Sequence, residues 1–113
     1  MAGIDPIAFA TSIIKTCNGI DEVESYDTQI IDNVVVKIRI YLIRGEFIDV
    51  FYNSDTERIA YALIDSNKRV FGVDNTGGWH IHPLEDPANH ISCHTVSFSD
   101  FMKTVQQRIR GRK

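Results

Sequence analysis

The chain has 113 residues, 43% of them apolar and 24% charged, with a net charge of −3. That is the size and composition of a single domain, 1–113, whose core needs no metal or disulfide to hold it. No apolar run reaches the roughly 18–20 residues that span a bilayer, and the opening MAGIDPIAFATSIIK lacks the basic start of a secretory leader. The expected location is therefore cytoplasmic, with no membrane contact.

The modest net charge hides an asymmetry. Residues 1–102 hold seven basic and all fifteen acidic side chains, a balance of −8, and residues 103–113 hold the other five basic ones. An acidic body with a basic tail is not the pattern of a general nucleic-acid coat, although the tail alone suits phosphate or an acidic partner. Cys17 and Cys93 are the two cysteines, with no CxxC spacing, so no thiolate zinc site is indicated. Cys17 reads as a small core residue and Cys93 as a half-buried thiol.

Asp5 and Pro6 open a helix over 6–17: Asp5 suits the cap, and the proline's missing N–H has no partner to lose in the first turn. Ile7, Ala10, Ile13, Ile14 and Cys17 fall on one face, and Asn18–Gly19 supplies a left-handed stop. From Asp21 the period changes to two. Asp21–Ile31 is a polar strand suited to a sheet edge. Val34–Ile43 follows the Asp32–Asn33 turn, with Val34, Val36, Ile38, Ile40 and Leu42 pointing one way. A two-residue Arg44–Gly45 turn, Glu46–Tyr52, a turn at 53–56, Arg58–Ile64, a turn at 65–68 and Arg69–Val73 complete five strands. Turns this short force antiparallel neighbours. Ser97 and Asp100 then form a capping pattern, and Phe98, Phe101, Met102, Val105 and Ile109 recur at helical spacing, with cations in the last turn. The expectation is an α+β domain: a five-stranded antiparallel meander with the N-terminal and C-terminal helices packed on one face.

All four histidines and the single tryptophan lie in Asp74–His94, DNTGGWHIHPLEDPANHISCH. Asp74–Gly78 is a turn, and Trp79–His82 is extended and closed by Pro83, with His80 and His82 on one face and Trp79 and Ile81 on the other. Leu84–Asn89 is a loop, followed by His90 and His94. Two chemistries compete here. A His-x-His pair with a third ligand suits a divalent metal. Histidines also suit acid–base work near neutrality. Two histidines and a cation are enough to cleave RNA: one takes the 2′-hydroxyl proton, the other protonates the leaving oxygen, and Arg69 or Lys68 steadies the phosphate. The plain alternative is that the histidines only make loop hydrogen bonds. Asn75 is expected to tie its turn together. Zinc normally recruits three or four ligands, so no tightly held metal and no cofactor are expected.

Tyr61–Ala62–Leu63, Phe71–Gly72–Val73–Asp74–Asn75, His80–Ile81–His82–Pro83, His90 and the helix from Ser97 together resemble the TumE-like toxin family of prokaryotic toxin–antitoxin systems, over about residues 34–110. The family's adjacent histidines are replaced here by Gly77–Gly78–Trp79 and a spaced pair. The resemblance implies a small prokaryotic toxin-type protein with an antitoxin partner and an RNA substrate. The candidate catalytic residues are His80, His82, His90 and Asp74, and the candidate substrate-binding residues are Arg69, Lys68, Trp79 and Tyr61. The alternative is a non-catalytic binding or assembly module, a homodimer or one half of a complex, using Val35, Tyr41 and Ile43.

Overall fold

Asp5 caps the first helix as expected: its Oδ2 accepts the Ala8 N–H at 3.1 Å, and Pro6 takes the first position of α1, Pro6–Asn18, in a computed structural model that describes residues 3–82, 91–92 and 95–111. The buried side of α1 is Pro6, Phe9, Ala10, Ile13 and Cys17, whereas Ile7 is 59% exposed. Phe9 takes the core place expected of Ile7 because its ring stacks on Tyr52, with centroids 4.4 Å apart. Gly19 ends the helix with φ −95°, not in the left-handed region; its N–H bonds back to the Thr16 carbonyl, and the Ile20 N–H bonds to that of Cys17.

The strands are β1 (Val23–Ile31), β2 (Val35–Leu42), β3 (Phe47–Asn53), β4 (Arg58–Asp65), β5 (Lys68–Asp74), β6 (His80–His82) and β7 (Ile91–Ser92), and α2 is Phe98–Gly111. They form one antiparallel sheet in sequence order. The expected meander is therefore present but longer: among the described residues seven strands replace five, because the His-rich segment pairs with β5 and continues the sheet. Asp32–Asn33 and Ser66–Asn67 turn with positive φ at both central residues, which matches the right-handed twist of the flanking strands. The β2–β3 turn has three residues rather than two, since Leu42 N–H bonds to Glu46 O and Gly45 takes φ 100°.

Both helices cover the same side of the sheet. Val36, Ile38, Ile40, Leu42, Ile48, Val50, Tyr52, Leu63, Phe71 and Val73 meet α1 and α2 in one core. On α2 the buried residues are the five expected from the helical spacing: Phe98, Phe101, Met102, Val105 and Ile109. Phe101 stacks on Phe71 at 5.3 Å and also meets Tyr61. The end of α2 is tied to the start of the sheet by Glu22, a buried carboxylate that accepts from Arg110 Nε at 2.7 Å and from Gln106 Nε2 at 3.2 Å. The hydrogen bond from Arg110 holds the Glu22 carboxyl below its ordinary range. No helix among the described residues is long and apolar enough to cross a membrane.

Phe101 joins α2 to β4 and β5 and is 1% exposed. Phe101→Ala should cost about 3–5 kcal/mol, the range for a fully buried aromatic that leaves a cavity. Urea unfolding followed by circular dichroism measures it, and a loss under about 1 kcal/mol would mean that α2 packs without this ring.

Candidate functional site

The face of the sheet away from the helices carries most of the described candidate residues. Antiparallel partners share a face, so the register defines two cross-strand rows there. One runs Lys37, Phe51, Ala60, Asp74, His80. The next runs Arg39, Asp49, Ala62, Gly72, His82. His80 and His82 thus share the open face, as the alternation of β6 requires. Trp79 and Ile81 pack against the core on the other side.

His82 is 2% exposed, and its Nε2 lies 2.8 Å from Asp74 Oδ2. Asp74 Oδ1 accepts the Thr76 N–H at 3.0 Å, closing the turn that leads to Gly77 and Gly78, both at positive φ. Burial pushes the Asp74 carboxyl up. The hydrogen bonds from His82 and Thr76, with the nearby charge of His82 and His80, outweigh it and hold the group below its ordinary value. Glycine at 72 leaves room for the Arg69 stem and the Tyr61 carbonyl, with the His82 ring in ordinary contact beside them. A Cβ there would come within 3.2 Å of Arg69 Cδ, 3.3 Å of the Tyr61 carbonyl oxygen and 3.6 Å of His82 Cδ2.

Arg69 reaches this face through an irregularity. Leu63 pairs with Phe71, but Ile64 pairs with Arg69, so Val70 is an extra residue on β5. Val70 packs with Phe71 toward the core, and Arg69 moves onto the side of Gly72. Without the bulge, Arg69 and Phe71 would share the helix side.

The structure therefore brings together Asp74, His80, His82 and Arg69. It does not bring Tyr61 or Lys68. Tyr61 lies on the helix side, 4% exposed, against Phe98 and Phe101, and burial pushes its phenol up to about 12. Lys68 is exposed at the hairpin and alternates to the side opposite Arg69. Trp79 is a core-edge residue, half-buried beneath the histidines. Asn75 ties its turn together as expected: Oδ1 accepts from Ile59 N–H at 2.8 Å, and Nδ2 donates to Glu57 O at 2.9 Å. His90, Cys93, His94 and the 84–89 loop lie outside the described residues. Among the described residues no group of three or more His, Cys, Asp and Glu side chains is placed to hold a metal ion. Gly72 is absent from the residues that the sequence pattern singles out, although a glycine inside a strand pattern is itself a mark of close approach.

Because the folded Asp74 carboxyl is lowered, it contributes stability that is full above its unfolded pKa of about 3.9 and is lost as pH falls through the folded value. Asp74→Asn should therefore flatten the acid limb of the Tm–pH curve below about pH 4. It should also cost about 1–3 kcal/mol near neutrality by weakening the partner of a buried histidine. Thermal melts of both proteins from pH 2 to 7 check this. Parallel acid limbs would show that the carboxylate is not selectively stabilised in the fold.

Residues 10–109 match the family model described as Toxin TumE. No curated protein and no solved structure matches the chain.

Proposed function

The chain belongs to the TumE toxin family, and we propose that it is a toxin-type ribonuclease working from the open face of β5 and β6. The observation that carries this reading is the arrangement of Arg69 beside Gly72 and His82, with His80 and Asp74 one row away on the same face. RNA cleavage by internal transesterification needs a group to take the 2′-hydroxyl proton, a cation to hold the phosphate and an acid for the departing 5′-oxygen. The 2′-oxygen bonds to phosphorus, the bond to the 5′-oxygen breaks, and a cyclic phosphate is left.

His80 is half-exposed and is the described histidine that substrate can touch. Arg69 is exposed and always charged, with a fork of donors matched to phosphate oxygens. His82 is too buried to meet substrate. It acts as a positioning residue, bonded to Asp74 and fixing the end of β6. His90 is taken from the sequence as the second proton-transfer group. A toxin of this family calls for an antitoxin partner that covers or restrains the site.

Expression of the chain alone should slow growth of its host, and His80→Ala and Arg69→Ala should each relieve the effect. Purified protein should cut single-stranded RNA to cyclic-phosphate ends. His80→Ala should lower kcat by about 10²–10⁴, the usual share of one general acid or base. An active His80→Ala protein, or a wild type that neither slows growth nor cuts RNA, would end the reading.

One observation favours the second reading, a binding module. β1 is exposed along its length, pairs only with β2 among the described residues, and bears Tyr26 and Ile30 more than a third exposed. Such an edge accepts an added strand from a partner or a second copy.

A further inference from the structure

We propose that the open face of β3 and β4, around Phe51 and Arg58, is a stacking subsite for a base of single-stranded RNA, two strands away from the reacting phosphate. The proposal rests on the ribonuclease reading and names where the substrate lies beyond the scissile bond.

Phe51 stands in the same cross-strand row as Asp74 and His80, separated from Asp74 by one residue, Ala60. Two strand spacings amount to about 10 Å. The floor between them is small: Ala60 lies between the two, with Ala62 beside it on the open side of β4. A trough of this kind has room for a sugar and its phosphate.

The far wall is aromatic and cationic. Phe51 is half-buried, so its ring is fixed and one part stays open. The Arg58 guanidinium lies 5.5 Å from its centroid, and Lys37 is its partner on β2. A hollow of about 380 Å³ sits here, bounded by Phe51, Arg58, Thr76 and Gly77. Thr76 gives its N–H to Asp74, so the wall of the hollow is the same turn that holds the carboxylate of the site. On its other side Phe51 lines a second hollow of about 480 Å³, shared with Lys37, Arg39 and Asp49.

The charge around Phe51 matches a phosphate strand on this side only. Arg39 is bonded to Asp49 through two hydrogen bonds, at 2.8 and 3.1 Å, and Tyr41 to Asp27, so the β1 side presents compensated or acidic groups. Lys37 and Arg58 have no carboxylate bonded to them among the described residues. The track therefore turns at Phe51 rather than crossing the whole sheet.

The subsite recognises a base by its face and not by its edge. Asn53 Oδ1 already accepts the N–H groups of Asp55 and Thr56, and both ends of the Asn75 amide are committed to Ile59 and Glu57. Beside the Thr56 and Thr76 hydroxyls and the Asn53 amide nitrogen, the hollow offers the ring and the cations, and every base has a π face. The expected ligand is single-stranded RNA with little base preference at this position. A duplex, whose bases are already stacked, should not enter.

The test uses the full chain and a fluorescent 2′-O-methyl oligonucleotide, which lacks the attacking hydroxyl and cannot be cut. Anisotropy should show binding that weakens about fivefold to 100-fold in Phe51→Ala, the range for losing one base stack. Phe51→Trp should retain it, and Arg58→Gln should weaken it and reduce its salt dependence. A duplex of the same sequence should compete poorly. Circular dichroism confirms that each variant is folded. Unchanged binding in Phe51→Ala, or equal competition by duplex, overturns the subsite. So does a face that takes no oligonucleotide and is instead protected from hydrogen exchange by the antitoxin. Cleavage that survives in Phe51→Ala with unchanged KM sinks the subsite and leaves the ribonuclease standing. Phe51-dependent binding without any cleavage by wild type does the reverse.

Discussion

Alternation along antiparallel strands is the constraint on which the rest of this structure depends. Val36, Ile38 and Ile40 on β2 align with Tyr52, Val50 and Ile48 on β3, and these with Ile59, Tyr61 and Leu63 on β4. Once that aliphatic side is sealed by α1 and α2, every intervening residue is committed to the other face, and a slip of one position would exchange the two sets. Burying the core thus fixes, at no further cost in ordering, where Phe51, Asp74, His80 and His82 stand. The placement of the open face is a by-product of a hydrophobic pattern.

Two features beyond that alternation shape the candidate site. The extra residue at Val70 moves Arg69 from the helix side to the open side while Val70 and Phe71 stay in the core. Bulges of this kind bend a strand and re-aim a side chain, and they recur beside functional sites. The second is the burial of His82, which keeps the alternation of β6 but is 2% exposed on the side away from the helices. A buried ring with polar nitrogens is costly unless bonded, and Asp74 supplies the bond at 2.8 Å. Asp74 is in turn held by Thr76 N–H, so the pair is anchored to the backbone of both β5 and the following turn. Removing either partner strands the other, which is why such a pair fixes geometry more than it adds net stability.

Much of this architecture is legible in the amino-acid sequence. The Asp5–Pro6 start, the Asp32–Asn33 turn, the polar edge strand, the apolar stripe of α2, the two-faced Trp79–His82 segment and the tying role of Asn75 all follow from local rules, and local rules are enough. The features that escape such rules share one physical cause, dependence on partners distant in sequence. Ile7 and Phe9 are both apolar at the start of α1, and only the Tyr52 ring, 43 positions on from Phe9, decides which of them is buried. Tyr61 reads as a ligand-facing residue beside an aspartate–asparagine motif, yet its parity with Val50 and Val73 puts it in the core. Glu22 reads as the polar start of a strand, and its partner Arg110 is 88 positions away. The bulge at Val70 leaves no mark in a pattern of alternating residues, so the side occupied by Arg69 is not legible from that pattern. The resemblance of the sequence to a toxin family, in contrast, holds over residues 10–109.

The composition of the open face argues that it is more than a wetted surface. Ala and Gly are poor strand residues: they add little packing, and glycine also costs backbone entropy. A face turned only to solvent would gain from Thr, Val or a charged side chain at 60, 62 and 72, each in the interior of β4 or β5. Small residues there make sense where another group must come close to the backbone. At Gly72 the approaching groups are visible: a Cβ would crowd the Arg69 stem at 3.2 Å and the Tyr61 carbonyl oxygen at 3.3 Å. Ala60 stands in the row that joins Phe51 to Asp74, and Ala62 stands beside it in the next row. The same low relief therefore extends from Gly72 across Ala62 and Ala60 toward Phe51.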